Sequence, residues 1–175
     1  MMIRYILASG SPRRWELLEQ AGIHFEVSQA RGEEISTKDT PADVVEELSY
    51  KKADEVAQRY LEKYKNDTVV IIGADTIVTY AGEVMGKPRD AADAVAMLTK
   101  LQGDTHQVYT GVTLIALEHG QKERKRQVIT FHEKTDVAMY PMTPEQIAAY
   151  VATGEPMDKA GAYAIQGKCA VYIKG

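Results

Sequence analysis

The chain has 175 residues, with 21 Lys and Arg against 25 Asp and Glu, for a formal charge of −4. Apolar residues at 45% and charged residues at 26% are ordinary globular usage and exclude a disordered chain. The lone Cys169 excludes an internal disulfide framework and a cysteine-based zinc cage, and no apolar run approaches the ~18 residues of a membrane span. One domain, or two small lobes around one core, is the expected count. The opening MMIRYILASGS is too short for a signal peptide, so a soluble cytoplasmic protein is expected. Mild acidity argues against a nucleic-acid partner, because phosphate-tracking surfaces are basic.

Residues 3–8 read as a short buried strand, broken by Ser9-Gly10-Ser11-Pro12. Pro12 suits the first position of a helix with Ser11 as its cap, and Gly22 suits its end. Residues 23–27 read as a second strand. Thr40-Pro41 opens a long helix whose apolar residues run at helical spacing as far as Tyr64. The β-branched run 68–72 reads as a strand buried on both faces. Residues 77–80 and 83–85 suit a hairpin around Ala81-Gly82. Asp90 caps a helix over 91–101. Long strands are expected over 106–117 and 127–140, meeting at His119-Gly120, with the charged stretch 122–126 blurring the boundary. Thr143-Pro144 starts another helix, and 170–173 reads as a last strand. Strands alternate with helices at first and then become antiparallel. The expected fold class is α/β, a mixed sheet flanked by helices.

Several familiar chemistries are absent. The stretch GEVMGKP has P-loop residues at the wrong spacing, with Pro88 in place of Ser or Thr. There is no G-x-G-x-x-G and no G-x-S-x-G elbow. His24, His106, His119 and His132 show no metal-ligand spacing.

Four segments remain. In Ser9-Gly10-Ser11-Pro12-Arg13-Arg14, a small polar loop enters a helix N-terminus, where open backbone N–H groups favour an anion. Two arginines in that first turn either meet a polyanion or sit in solvent. Gly73-Ala74-Asp75-Thr76 follows the β-branched run, which puts Asp75 at or just past a strand's carboxyl end, where α/β sheets bind ligands. An acid there holds a divalent metal, takes a proton from water, or merely shapes an Asx-turn. Glu33-Glu34, Lys51-Lys52, Lys87 and Lys159 are each compatible with a solvated face. The segment 153–167 brackets Tyr163 and Gln166 with small residues, which suits either close approach to a ligand or tight loop packing.

Taken together, SGSPRRWELLEQAGIHFEV, the EE pair, KKA, GADT, GKP, YTGV and EPMDKAGAYAIQG occur in the order seen in the Maf family, and the chain resembles it from Ile6 to at least Gly167. The resemblance implies an elongated two-lobed fold like that of inosine-triphosphate pyrophosphatases, with a central cleft. It implies hydrolysis of a nucleoside triphosphate to the monophosphate and pyrophosphate with a divalent cation, Mg²⁺ or Mn²⁺, in a homodimer. Asp75 matches the family's proton acceptor. Arg13, Thr76 and Gln166 match its specificity positions, in the form of the branch acting on dTTP and UTP. Ser11, Arg14, Lys52 and Lys87 match phosphate-binding positions, and Glu34 joins Asp75 at the metal. A sister branch acting on 7-methyl-GTP differs at the three specificity positions. A nucleotide-binding regulator of cell division without turnover is the other alternative. Family chains usually continue with a G-S-Y…V-G-L-P stretch, which this sequence is expected to lack after Gly175.

Overall fold

The computed structural model describes residues 2–119 and 124–175. The turn expected at His119-Gly120 and the charged stretch 122–126 therefore fall partly outside the described residues. The elements are β1 (Ile3–Leu7), α1 (Pro12–Gln20), β2 (Phe25–Val27), α2 (Pro41–Tyr60), β3 (Thr68–Tyr80), β4 (Glu83–Met85), α3 (Ala91–Leu101), β5 (Thr105–Glu118), β6 (Lys125–Ala138) and α4 (Pro144–Val151). Three 3₁₀ helices follow, at Glu155–Asp158, Ala160–Ala162 and Lys168–Tyr172.

One sheet takes the order β2-β1-β3-β5-β6, with β4 on the end of β3. β1 is parallel to β2 and to β3, from Ile3 opposite Thr68 to Leu7 opposite Ile72. β3 then runs antiparallel to β4, with Val78 opposite Met85 and Tyr80 opposite Glu83. The sheet is mixed, as the element pattern implied. The turn between β3 and β4 has positive φ at both Ala81 (50°) and Gly82 (82°), which matches the right-handed twist of a two-residue hairpin.

The chain divides into two compact units. The first comprises Met1–Asp75 and Thr110–His132; the second comprises Thr76–Tyr109 and Glu133–Gly175. In the first unit, α2 begins at Thr40, whose hydroxyl accepts from the Asp43 N–H, and Pro41 follows in the first turn. Val45, Leu48, Ser49, Ala53, Val56, Ala57 and Tyr60 recur at helical spacing and form its buried face. Ala53, Val56, Ala57 and Tyr60 pack with Ile6, Val69, Ile71, Ile115 and Leu117. Burying a Val or Leu side chain there stabilises by roughly 1.5–3 kcal/mol. Two glycines let the helix backbone approach the sheet. A Cβ on Gly73 would lie 2.3 Å from the Ser49 carbonyl oxygen, and one on Gly111 would lie 2.2 Å from that of Val45. A methyl at either position has no room.

The second unit has its own core, in which Leu98 and Leu101 of α3 and Ile147 and Val151 of α4 pack with Val78, Val137 and Cys169. Thr143 and Gln146 form a capping box at α4.

Three expectations need correction. The run 68–72 is only the first part of β3, because the strand continues without a break to Tyr80. The expected last strand is a 3₁₀ helix, Lys168–Tyr172, and Ile173 alone bridges to Met139. Ser11 occupies the N-cap position of α1, but its side chain makes no capping bond.

Candidate functional site

The sheet register explains where Asp75 lies. β1 ends at Leu7, and the Ala8 N–H donates to the Ile72 carbonyl at 2.8 Å as the last parallel rung. β3 carries on past that point. Asp75 is therefore beyond the carboxyl end of its parallel neighbour while still inside its own strand, which corrects the strand-end placement read from sequence. Side chains alternate along a strand, so Gly73 and Asp75 share a face. Gly73 presses against Ser49 and Ala53, so this face looks onto α2.

Lys52 lies on that side of α2. Its Nζ donates to Asp75 Oδ1 at 2.5 Å and lies 2.8 Å from Glu34 Oε1. The Lys52 and Asp75 side chains are only 16% and 10% exposed, so their charges are poorly screened. Of the adjacent acids Glu33 and Glu34, Glu34 reaches Lys52. Arg14 joins the same electrostatic group. Burial pushes its guanidinium pKa below the ordinary arginine value, and the Asp75 and Glu34 carboxylates oppose that fall. Two cations and two carboxylates thus offset one another. A cavity of about 50 Å³ lies alongside, lined by Gly32, Glu33, Glu34, Leu48, Lys51, Lys52 and other residues. It is small against the ~300–1,000 Å³ of ordinary ligand pockets and suits a single charged group.

The chain leaving β1 is fixed by Ser9, which is buried. Its Oγ accepts from Arg14 Nη1 at 3.0 Å and from the Ser11 N–H at 3.2 Å, while its carbonyl accepts from the Trp15 indole N–H at 3.0 Å. The loop carrying Glu34 is fixed by carboxylates on α2. Glu55 accepts from the Arg31 and Gly32 N–H groups. Glu47 accepts from the Ser36 hydroxyl and from the Thr37 N–H and hydroxyl. The Ser36 hydroxyl bond, then Lys51 and the Thr37 N–H, push the Glu47 carboxyl down to about 2. Ser9 was read only as part of its loop, and Glu47 and Glu55 were not singled out in the sequence. Glu47, Lys51, Glu55 and Arg59 recur every fourth residue, as on any solvated helix face.

The other candidates divide as follows. Ser11 is half-buried at the start of α1. Arg13 lies next to Arg14 in sequence, is half-buried, and pairs with Glu16 at 3.1 Å. In the second unit, Thr76 is half-buried on β3, Lys87 is exposed just before Pro88, and Gln166 is exposed in the turn after Tyr163. The Gly161 N–H donates to the Gly86 carbonyl at 3.1 Å, which ties the segment before Lys87 to the small-residue motif. Gly161 has a φ of +67° and abuts Val78, so only glycine suits that contact. Lys159 pairs with Asp158 at 2.5 Å.

Among the described residues there is no cluster of three or more His, Cys, Asp or Glu that could hold a metal ion. The two carboxylates Glu34 and Asp75 already share one cation, the Lys52 ammonium. That donor set fits Mg²⁺, which takes one or two protein carboxylates and fills its shell with substrate phosphates and water. No helix among the described residues is long and apolar enough to cross a membrane.

A family model described as "Maf-like protein" matches residues 4–175. A dTTP/UTP pyrophosphatase of Agathobacter rectalis is 48% identical over 181 residues, covering 99% of this chain and 87% of that protein. A dTTP/UTP pyrophosphatase of Bacillus cytotoxicus is 47% identical over 174 residues, covering 99% of this chain and 84% of its own. Among solved structures, a nucleoside-triphosphatase / dITP/XTP pyrophosphatase from Mycobacterium abscessus aligns with a TM-score of 0.41 and 12% identity, over 78% of this chain and 74% of its own.

Proposed function

Because the chain belongs to the Maf family, we propose that it hydrolyses dTTP and UTP to the nucleoside monophosphate and pyrophosphate. Near-half identity to named dTTP/UTP pyrophosphatases over 99% of the chain supports the substrate class. The observation that carries the chemistry is the Lys52–Asp75–Glu34 cluster beside Arg14, with Asp75 buried.

In this reading, water attacks the α-phosphorus in line with the leaving group. The new bond is water oxygen to α-phosphorus, and the bond broken joins that phosphorus to the bridging oxygen. Asp75 accepts the proton of the attacking water through the carboxylate oxygen that Lys52 does not hold. Lys52 and Arg14 favour the polyphosphate electrostatically where charge is poorly screened. Ser11 and Lys87 add phosphate contacts, and Arg13, Thr76 and Gln166 select the pyrimidine. Glu34 and Asp75 would hold a divalent cation, Mg²⁺ or Mn²⁺, which would neutralise polyphosphate charge. The methyl that separates thymine from uracil is worth only ~1–3 kcal/mol in a pocket, so acceptance of both bases is physically natural. A cytoplasmic homodimer is part of the same proposal.

The test is product identity. Incubation with dTTP and Mg²⁺ should release dTMP and pyrophosphate in equal amounts. Orthophosphate as the first product would place attack at the terminal phosphorus and overturn the reading.

A further inference from the structure

The turn that presents Gln166 is held at one end by a carboxylate and at the other by a phenol hydroxyl. Glu155 lies in the 3₁₀ helix Glu155–Asp158, directly after Gly154, whose φ is +76°. Both of its oxygens accept from the Lys168 N–H, at 3.1 and 3.0 Å. The carboxylate lies flat against the backbone of turn 164–168, because position 167 carries no side chain. A Cβ on Gly167 would sit 2.2 Å from Glu155 Oε1. The far end of the turn is tied through Tyr150. Its hydroxyl accepts from the Ala164 N–H at 3.2 Å. Tyr150 is buried on α4. Burial, followed by the Glu155 side chain, pushes its phenol pKa well above the ordinary tyrosine value, so the hydroxyl stays protonated. Within the turn, the Gly167 N–H donates back to the Ala164 carbonyl at 3.1 Å.

We infer that Glu155 and Tyr150 are positioning residues for base selection: they clamp both ends of turn 164–168 and thereby fix the direction in which Gln166 presents its amide. The inference rests on the proposed base-reading role of Gln166. The physical reason is entropic. An exposed glutamine on a loose turn loses backbone and rotamer freedom whenever it meets a base, whereas a clamped turn has lost the backbone part already. Both clamp residues must accept, because the groups they hold, the Ala164 and Lys168 backbone N–H, are donors. A carboxylate acceptor for a backbone N–H is worth more than a neutral one.

The experiment compares Glu155→Gln, Tyr150→Phe and Gln166→Ala with the unmodified protein. Tyr150→Phe keeps the ring in the core and removes one tether; it serves if Glu155→Gln folds poorly. Two quantities are read: hydrogen exchange at the Ala164 and Lys168 amides, and the ratio of kcat/KM for dTTP over CTP. Both clamp variants should speed exchange at those amides. They should lower the dTTP:CTP ratio about tenfold, the effect of losing one good hydrogen bond at ~1.4 kcal/mol, with the loss falling on KM more than on kcat. Adding Glu155→Gln to Gln166→Ala should change the ratio less than twofold, because the residue being aimed is gone. An equal loss in both backgrounds would show general softening and overturn the inference. So would an unchanged ratio in both clamp variants while Gln166→Ala relaxes selection; base reading by Gln166 would then survive alone. If Gln166→Ala itself leaves the ratio unchanged, the base-reading assignment fails and the clamp's role falls with it.

Discussion

Asp75 and Gln166 are both polar side chains held in place by other parts of the fold, but by opposite means. Asp75 sits inside a strand, with a helix against its face and an ammonium on one oxygen. Gln166 sits on an exposed turn, and the groups that hold it are backbone amides tethered from behind. The first arrangement suits a site that must meet concentrated negative charge. Its cations and carboxylates satisfy one another, so none is buried alone. The second suits a neutral base edge, where direction matters more than charge. The contrast implies that changes near Asp75 alter rate and stability together, while changes near Gln166 alter choice of substrate.

The largest effect expected on the Asp75 side is from Asp75→Asn. Turnover should fall ~10²–10⁴-fold, the usual contribution of a general base, with the circular dichroism spectrum unchanged. Near-normal turnover in a folded variant would remove the proposed proton acceptor. Gly73→Ala comes next. The added methyl meets helix backbone, so a loss of ~1–3 kcal/mol is expected in urea unfolding, together with slower turnover as Lys52 shifts against Asp75. Gly86→Ala is the matched control. Nothing lies within 4 Å of a Cβ there, so its stability should stay within ~0.5 kcal/mol. Lys52→Met removes the shared cation and leaves Asp75 and Glu34 facing each other. Because Glu34 is more than half exposed, the expected cost is ~1–2 kcal/mol, less than for a fully buried pair. Added Mg²⁺ should restore part of that stability, as a rise in Tm with no nucleotide present.

The smallest effect concerns Glu47 and acid. Its carboxyl is depressed from 4.5 to about 2 in the folded protein. A depressed carboxyl contributes stability above its unfolded value and loses it as pH falls through the folded value. The Tm difference between the unmodified protein and Glu47→Gln should therefore be full at pH 6 and shrink steadily between pH 4.5 and 2. A constant gap across that range would mean that Glu47 does not hold the 36–37 segment.

Much of the fold could be read locally. Thr40-Pro41, Asp90 and Thr143-Pro144 mark helix starts because capping involves only neighbouring residues, and all three open helices. The β3–β4 hairpin was legible for the same reason. What failed was the middle of β3. Gly73 and Asp75 are poor strand formers, so the pattern suggested an end after Ile72. Packing against α2 overrides that preference, and no local signal reports it. The candidate site shows the same division. Glu34, Lys52 and Asp75 were named from motifs, and the structure brings them together. Arg13 and Arg14 share the first turn of α1, and helix geometry turns the two to different surroundings, one toward Glu16 and the other toward Ser9. Glu47 and Glu55 reach across 10 and 23–24 residues of sequence to the loop they hold, and spacing along one helix cannot reveal such a bond.

The depth of Asp75 within β3 has a consequence for the pace of the reaction. An acid mounted on a swinging loop must wait for that loop to settle, and its rate then carries the signature of loop motion. An acid built into a continuous strand is already in place. Solvent viscosity and loop substitutions should therefore act on nucleotide capture and release, and leave single-turnover chemistry at the phosphorus almost untouched.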